Sequence, residues 1–201
     1  MMVKNINSGS GDSYPSSITA VGNTLYFFAS DGTTGNDLWR SDGTTFGTIG
    51  IKDINSGNLS SAPLLTRDRI ISNIGNTIYF QADDGTNGTE LWKSDGTSSG
   101  TVMVKDINSG SSRSYLEHLT AVGNTLYFSA DDGTYGCELW KSNGTANGTM
   151  LIQDMNRGTS SSDPYGFIAL GNIILFAATH ETRGRELFIN HYEIAQVITY
   201  S

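Results

Sequence analysis

The sequence predicts an all-β fold, a four-bladed β-propeller made from four copies of one four-stranded unit. Three observations predict it. A stretch from Gly123 to Asp154, GNTLYFSADDGTYGCELWKSNGTANGTMLIQD, has close copies from Gly75 to Asp106 and from Gly22 to Asp53, and a decayed copy opens at Gly171. The opening glycines lie 53, 48 and 48 residues apart, and a fixed period in the range of roughly 20 to 50 residues marks one supersecondary unit repeated along a chain. The composition agrees: 24 glycines, with Ser, Thr, Asn and Asp crowded between short apolar runs, is that of a turn-rich β protein.

Taken in order, residues Val3 to Ile6 (VKNI) match the final strands of the three good repeats, Ile51 to Ile54, Val104 to Ile107 and Ile152 to Met155. Residues 2–7 are therefore expected to close the ring by pairing onto the last repeat, giving a monomer. In the first repeat, strand A (Ile18 to Val21) and strand B (Thr24 to Ala29) flank Gly22-Asn23, a two-residue hairpin signal. A polar loop from Asp31 to Asn36 leads to strand C, Asp37 to Arg40. There Leu38 and Trp39 point to opposite faces, so both faces of the sheet should be covered, as stacked blades cover them. Ser41-Asp42-Gly43-Thr44 turns the chain back, with Asp bonding its own backbone, into strand D from Ile49 to Ile54.

The same order recurs, which divides a single domain of residues 1–201 into repeats 8–54, 55–107, 108–155 and 156–201. The fourth is degenerate. Phe188 replaces Trp, Ile189-Asn190-His191 replaces the Ser-Asp-Gly turn, and no KDI-like strand follows; terminal repeats are often atypical because they cap or close an array. Only Tyr192 to Ile198, outside the pattern, suits a helix. Closure matters because an open array leaves unpaired strand edges. Two alternatives fit the same repeats: an arc of a larger propeller, and a ring shared by two chains.

Net charge of −8, with no basic run, argues against nucleic acid as a partner and against an anionic membrane surface. No apolar run reaches the length of about 18 residues that a spanning helix needs. The opening MMVKNINSG lacks the apolar core of a signal peptide, so any export signal would lie outside these residues. The single cysteine, Cys137, excludes an internal disulfide.

Glu90-Leu91-Trp92-Lys93-Ser94-Asp95-Gly96-Thr97, repeated as CELWKSNGT and NDLWRSDGT, resembles the bacterial ELWxxDGT repeat family. Aromatic strand, DDGT loop, ELW strand, DGT turn and KDI strand recur in order from Val3 to about Leu187. The resemblance implies a secreted or cell-surface bacterial protein, of a kind found beside adhesion-type modules and without established catalytic residues.

Three sets of residues invite a functional reading. Trp39, Trp92 and Trp140, one per good repeat, suit either sugar stacking or burial between blades. Asp83-Asp84 and Asp131-Asp132 sit on glycine-containing B–C loops and are the one place where a cofactor, Ca2+, is admitted; no other is expected. Against calcium, the spaced D-x-D-x-D-G pattern is absent and Asp-Gly is a common turn former. Tyr14, Tyr115, Tyr135 and Tyr165 fall on the B–C and D–A loops, which emerge on one face of a propeller, among small hydroxyl residues suited to a glycan or an extracellular protein. Nearly every acid recurs by repetition, and no nucleophile elbow, phosphate loop or zinc signature is present, so no catalytic residue is assigned. The expectation is a non-catalytic, lectin-like binding module, with a protein-interaction scaffold as the alternative and a polysaccharide hydrolase or lyase using the channel as the third.

Overall fold

The structure is a computed structural model describing residues 1–62, 71–171 and 173–191. In these residues the chain forms fifteen strands, no helix, and four antiparallel sheets, one per repeat. The segment 192–198 expected as a helix lies outside them. Sheet 1 holds β1 (Ser16–Val21), β2 (Thr24–Ser30), β3 (Asn36–Ser41) and β4 (Ile49–Lys52). Sheet 2 holds β5 (Ile71–Ile74), β6 (Thr77–Asp83), β7 (Thr89–Ser94) and β8 (Val102–Lys105). Sheet 3 holds β9 (Glu117–Val122), β10 (Thr125–Asp131), β11 (Cys137–Ser142) and β12 (Met150–Gln153). Sheet 4 holds three strands, β13 (Tyr165–Leu170), β14 (Ile173–His180) and β15 (Gly184–His191).

Each sheet is a meander because its turns are written locally. Val21 faces Thr24 across a two-residue loop whose Gly22 has φ 58°, the positive value such hairpins need. The Ser-Asp-Gly-Thr turn is a side-chain network. Asp42 Oδ1 accepts from Thr44 N at 2.9 Å and Thr44 Oγ1 at 2.7 Å, while Ser41 Oγ and Thr48 Oγ1 share a bond of 2.6 Å. Sheets 2 and 3 repeat the Ser–Thr bond at 2.7 Å through Ser94–Thr101 and Ser142–Thr149.

The alternation of Leu and Trp in the third strand places one on each face, and the cores lie between sheets. Leu38 and Phe28 of sheet 1 pack with Trp92, Phe80 and Ile78 of sheet 2. Leu91 and Ile107 of sheet 2 pack with Trp140, Phe128 and Leu126 of sheet 3. Leu139 and Tyr127 of sheet 3 pack with Phe176 and Ile174 of sheet 4. The first strands follow suit, with β1 against β5, β5 against β9, and β9 against β13.

The closing role expected of Val3 to Ile6 is corrected by the structure. These residues form no strand, and β15 pairs with β14 alone among the described residues. Lys4 Nζ instead donates to Thr48 O at 2.7 Å and lies 6.0 Å from the Trp39 ring, and Ile6 packs beside Phe27 and Trp39. Lys52 does the same to Thr101 and Trp92, at 2.8 and 6.0 Å, and Lys105 to Thr149 and Trp140, at 2.9 and 5.8 Å. The opening segment thus lies on sheet 1 as a preceding sheet's last strand would, anchored by side chains and not by a backbone ladder.

The turns also clasp neighbouring sheets. Gly96, at φ 87°, faces sheet 1, where an added Cβ would stand 2.7 Å from the hydroxyl of buried Tyr26. Gly96→Ala is therefore expected to destabilise the protein by about 1–3 kcal/mol through a left-handed backbone and overpacking. Chemical denaturation measures it, and a change under about 0.5 kcal/mol, the range of an ordinary surface substitution, would contradict this view of the seam.

Candidate ligand face at the linker loops

The loops that carry the chain from one sheet to the next meet the loops joining the second and third strands, at one end of the sheets. A serine in each linker bridges two sheets. Ser114 N donates to Thr89 O at 3.1 Å while its carbonyl accepts from Asp131 N at 2.8 Å; Ser162 N donates to Cys137 O at 3.0 Å while its carbonyl accepts from Thr179 N at 2.7 Å. Ser61 O accepts from Asp83 N at 3.0 Å, and ahead of sheet 1 Ser13 O accepts from Ser30 N of that same sheet at 2.9 Å. After the serine the chain turns left at three of the four places: Tyr14, Tyr115 and Asp163 have φ of 45°, 48° and 44°. That conformation is rare for a bulky side chain and is strained. It throws Tyr14 and Tyr115 outward, 71% and 60% exposed.

Tyr135, between β10 and β11, and Tyr165, opening β13, are 39% and 38% exposed on the same rim. All four tyrosines expected at a ligand face are therefore presented at one end of the sheets. The three tryptophans are not. Trp39, Trp92 and Trp140 are buried between sheets, each with a lysine ammonium over its ring. Their assignment as ligand platforms is corrected to core, because neither ring face is open to a sugar.

Beneath the rim lies a repeated acid, Asp37, Glu90 and Glu138, all buried. Glu138 accepts from Met155 N at 3.0 Å, Ser162 N at 2.9 Å and Ser162 Oγ at 2.6 Å, so one carboxylate ties strand to linker. Asp37 accepts from Ser61 Oγ at 2.7 Å, and Glu90 from Ile107 N at 2.8 Å. Burial raises all three acids, Asp37 to about 6 and Glu90 to about 7, with hydrogen bonds only partly opposing it.

The paired aspartates serve their own loops. Asp83 Oδ1 accepts from Gly85 N at 2.7 Å, and Asp84 accepts from Thr86 N, Asn87 N and Asn87 Nδ2 at 2.8 to 2.9 Å. Asp131 and Asp132 repeat this with Gly133, Thr134 and Tyr135 at 2.7 to 3.1 Å. These are the self-bonded turns that Asp-Gly sequences form. Cys137 is part-buried, and burial with the charges of Asp131, Asp163 and Glu117 pushes its thiol up to about 11, away from nucleophilic use.

One group on the rim does not repeat. Arg185 of β15 lies 5.2 Å over Tyr165, and the His118 ring is 5.9 Å from Tyr165 on the other seam strand, β9. Sequence reading passed over Arg185, Asp163 and Glu117 as site residues; their only signal is departure from the sister repeats. Elsewhere, a cavity of about 600 Å³ opens between β1, β5 and β9, where Thr19, Ser72, Asn73 and Thr120 supply the polar lining.

No protein-family model matches the chain, and no curated protein matches its sequence. Among solved structures, a puromycin hydrolase mutant complexed with PGG is 14% identical at a TM-score of 0.49, over 83% of this chain and 26% of that one. One of two prolyl endopeptidases compared for inter-domain dynamics is 14% identical at 0.48, over 92% and 26%. An alpha-L-arabinofuranosidase from Clostridium thermocellum is 16% identical at 0.30, over 94% and 72%. The chain spans about a quarter of the length of the first two. Likenesses at this level bear on neither activity nor ligand.

Proposed function

We propose that this chain is a non-catalytic binding module whose ligand face is the rim of linker and second-to-third-strand loops, and that its ligand is a carbohydrate. The observation that carries the reading is the presentation of Tyr14, Tyr115, Tyr135 and Tyr165 on one rim, two of them held outward by strained backbone. Rigid aromatics with few rotatable bonds among hydroxyl side chains give contact area at low entropic cost. Within this reading the four sheets are blades of a small propeller, the monomeric protein belongs with the ELWxxDGT repeats, and its place is outside the cell or on its surface. Calcium would enter only through Asp83, Asp84, Asp131 and Asp132.

A second reading has an observation of its own. Ile168, Leu170, Leu187 and Ile189 are exposed on alternate positions of β13 and β15, an apolar face suited to a protein partner in an extracellular assembly. Among the described residues the cavity between β1, β5 and β9 offers a channel hydrolase Thr19, Ser72, Asn73 and Thr120 as polar groups, none of which is a base.

The test is a glycan array probed with labelled protein, with calcium and with a chelator. Binding under both conditions is expected, with Tyr14→Ala and Tyr115→Ala weakening it while the melting temperature holds. Binding lost with the chelator would move the site to the aspartates. Absence of binding under either condition would favour the protein-partner reading.

A further inference from the structure

We propose that the seam between sheets 3 and 4 is the sugar subsite of this rim, where Glu117, His118, Asp163, Tyr165 and Arg185 take one neutral, hydroxyl-rich ring. The proposal rests on the carbohydrate reading and gives it a place.

Asymmetry is the first argument. Arg185 stands where the sister repeats have Asn36, Thr89 and Cys137, and Tyr165 where they have Ser16 and Glu117. These residues are not required by the repeat, since three good copies fold without them. His118, at φ 58°, shares its left-handed backbone with Ser17 at 53° and Gly166 at 69° in the sister repeats, yet alone brings an imidazole to that bend.

Geometry is the second. The guanidinium lies on the Tyr165 ring, and Arg185 Nε donates to Thr179 Oγ1 at 3.3 Å, which fixes its orientation. Arg185 Nη2 and Asp163 Oδ2 stand 3.9 Å apart, and His118 Nε2 and Glu117 Oε2 3.8 Å. Both gaps are too long for a direct hydrogen bond. A hydroxyl, which donates and accepts at once, can accept from the guanidinium or imidazole N–H and donate to the neighbouring carboxylate. Two such donor–acceptor pairs beside aromatic rings match a pyranose, whose edges are hydroxyls and whose face is apolar.

Charge selects the ligand. Two carboxylates of the subsite, Asp163 and Glu117, with Asp131 beside them, lie close enough to raise the thiol of nearby Cys137, behind burial as the larger cause. A uronate would meet these carboxylates at close range, whereas an uncharged ring pays no such cost.

Isothermal titration of the intact protein with cellohexaose, xylohexaose, mannohexaose and hexagalacturonate tests the proposal. At least one neutral hexasaccharide is expected to bind, and Arg185→Gln and Tyr165→Ala to weaken it by about tenfold or more, the cost of one well-placed contact. The His118 ring protons should shift on binding in the proton NMR spectrum, a readout that does not depend on any variant folding. Loss of binding in Tyr14→Ala or Tyr115→Ala, with Arg185→Gln and Tyr165→Ala at wild-type affinity, would overturn the subsite and leave the carbohydrate reading standing. Preference for hexagalacturonate would overturn the neutral ring, and no binding by any of the four would overturn the subsite and count against the carbohydrate reading with it.

Discussion

Trp92→Ala is expected to lower the free energy of unfolding by about 3–5 kcal/mol, the usual cost of removing a large aromatic from a core. Trp92 is 6% exposed and packs with Phe28, Leu38 and Phe80 in the core shared by sheets 1 and 2. Truncation leaves a cavity at the centre of that seam and removes the ring beneath the Lys52 ammonium, 6.0 Å away. A cation over a partly shielded ring contributes about 0.5–2 kcal/mol, so burial and not charge carries most of the loss. Urea denaturation followed by circular dichroism measures it, and Tyr115→Ala is the comparison. Tyr115 is 60% exposed, and its truncation should shift stability by no more than about 0.5 kcal/mol. The contrast separates the two roles that the aromatics of this chain could have played. A loss below about 1 kcal/mol at Trp92 would return the tryptophans to the ligand face. Because the cores of the described residues lie between sheets that follow one another in sequence, the transition can also broaden, as stacked repeats lose cooperativity locally.

Much of the fold was legible because the chain compares itself with itself. Leu38-Trp39, Leu91-Trp92 and Leu139-Trp140 announce a sheet covered on both faces, and the cores lie where that alternation requires. The Ser-Asp-Gly-Thr turns form as their residues dictate. The opening VKNI segment was matched to the right strands and given the wrong partner. What the match encodes is a lysine and an apolar residue aimed at the next sheet, and Lys4 and Ile6 find Trp39 without any backbone pairing. The rim was half legible. Its tyrosines could be placed from loop position, but the positive φ of Tyr115 follows a serine bonded across two sheets, and that of Tyr14 a serine bonded to the far end of β2, neither of which loop position reveals. Arg185 and Asp163 could not be placed, since departure from the sister repeats marks a residue without saying what it meets, and their meeting depends on how sheet 4 seats on sheet 3.

Stability is expected to fall as pH rises from about 5 to about 8, by roughly 2–5 kcal/mol, the reverse of what paired surface carboxylates would give. The sign comes from the buried acids of the seams. Glu90 moves from 4.5 to about 7 and Asp37 from 3.8 to about 6 in the folded protein, first because burial penalises the charged form, and Glu138 is raised for the same reason. A folded-state value above the unfolded one means that folding holds the proton more tightly. The contribution is complete below the unfolded values and is lost as each carboxyl ionises through its folded value. Glu90 Oε1 and Asp106 Oδ1 are buried without a hydrogen-bond partner among the described residues, and the charge of Asp106 adds to the cost of ionising Glu90. Below about pH 4 the trend should reverse, because Asp31, held low mainly by its bond from Thr33, then loses its own contribution. Glu90→Gln isolates the seam term. The amide can keep the bond from Ile107 N and cannot ionise, so the variant should melt at or above the wild-type temperature near pH 8 and show a shallower pH slope. An unchanged slope would mean that Glu90 titrates as an ordinary surface acid. The linker that carries Tyr115 would then have no fully desolvated anchor beneath it, and its stiffness would have to come from the Ser114 bridge alone.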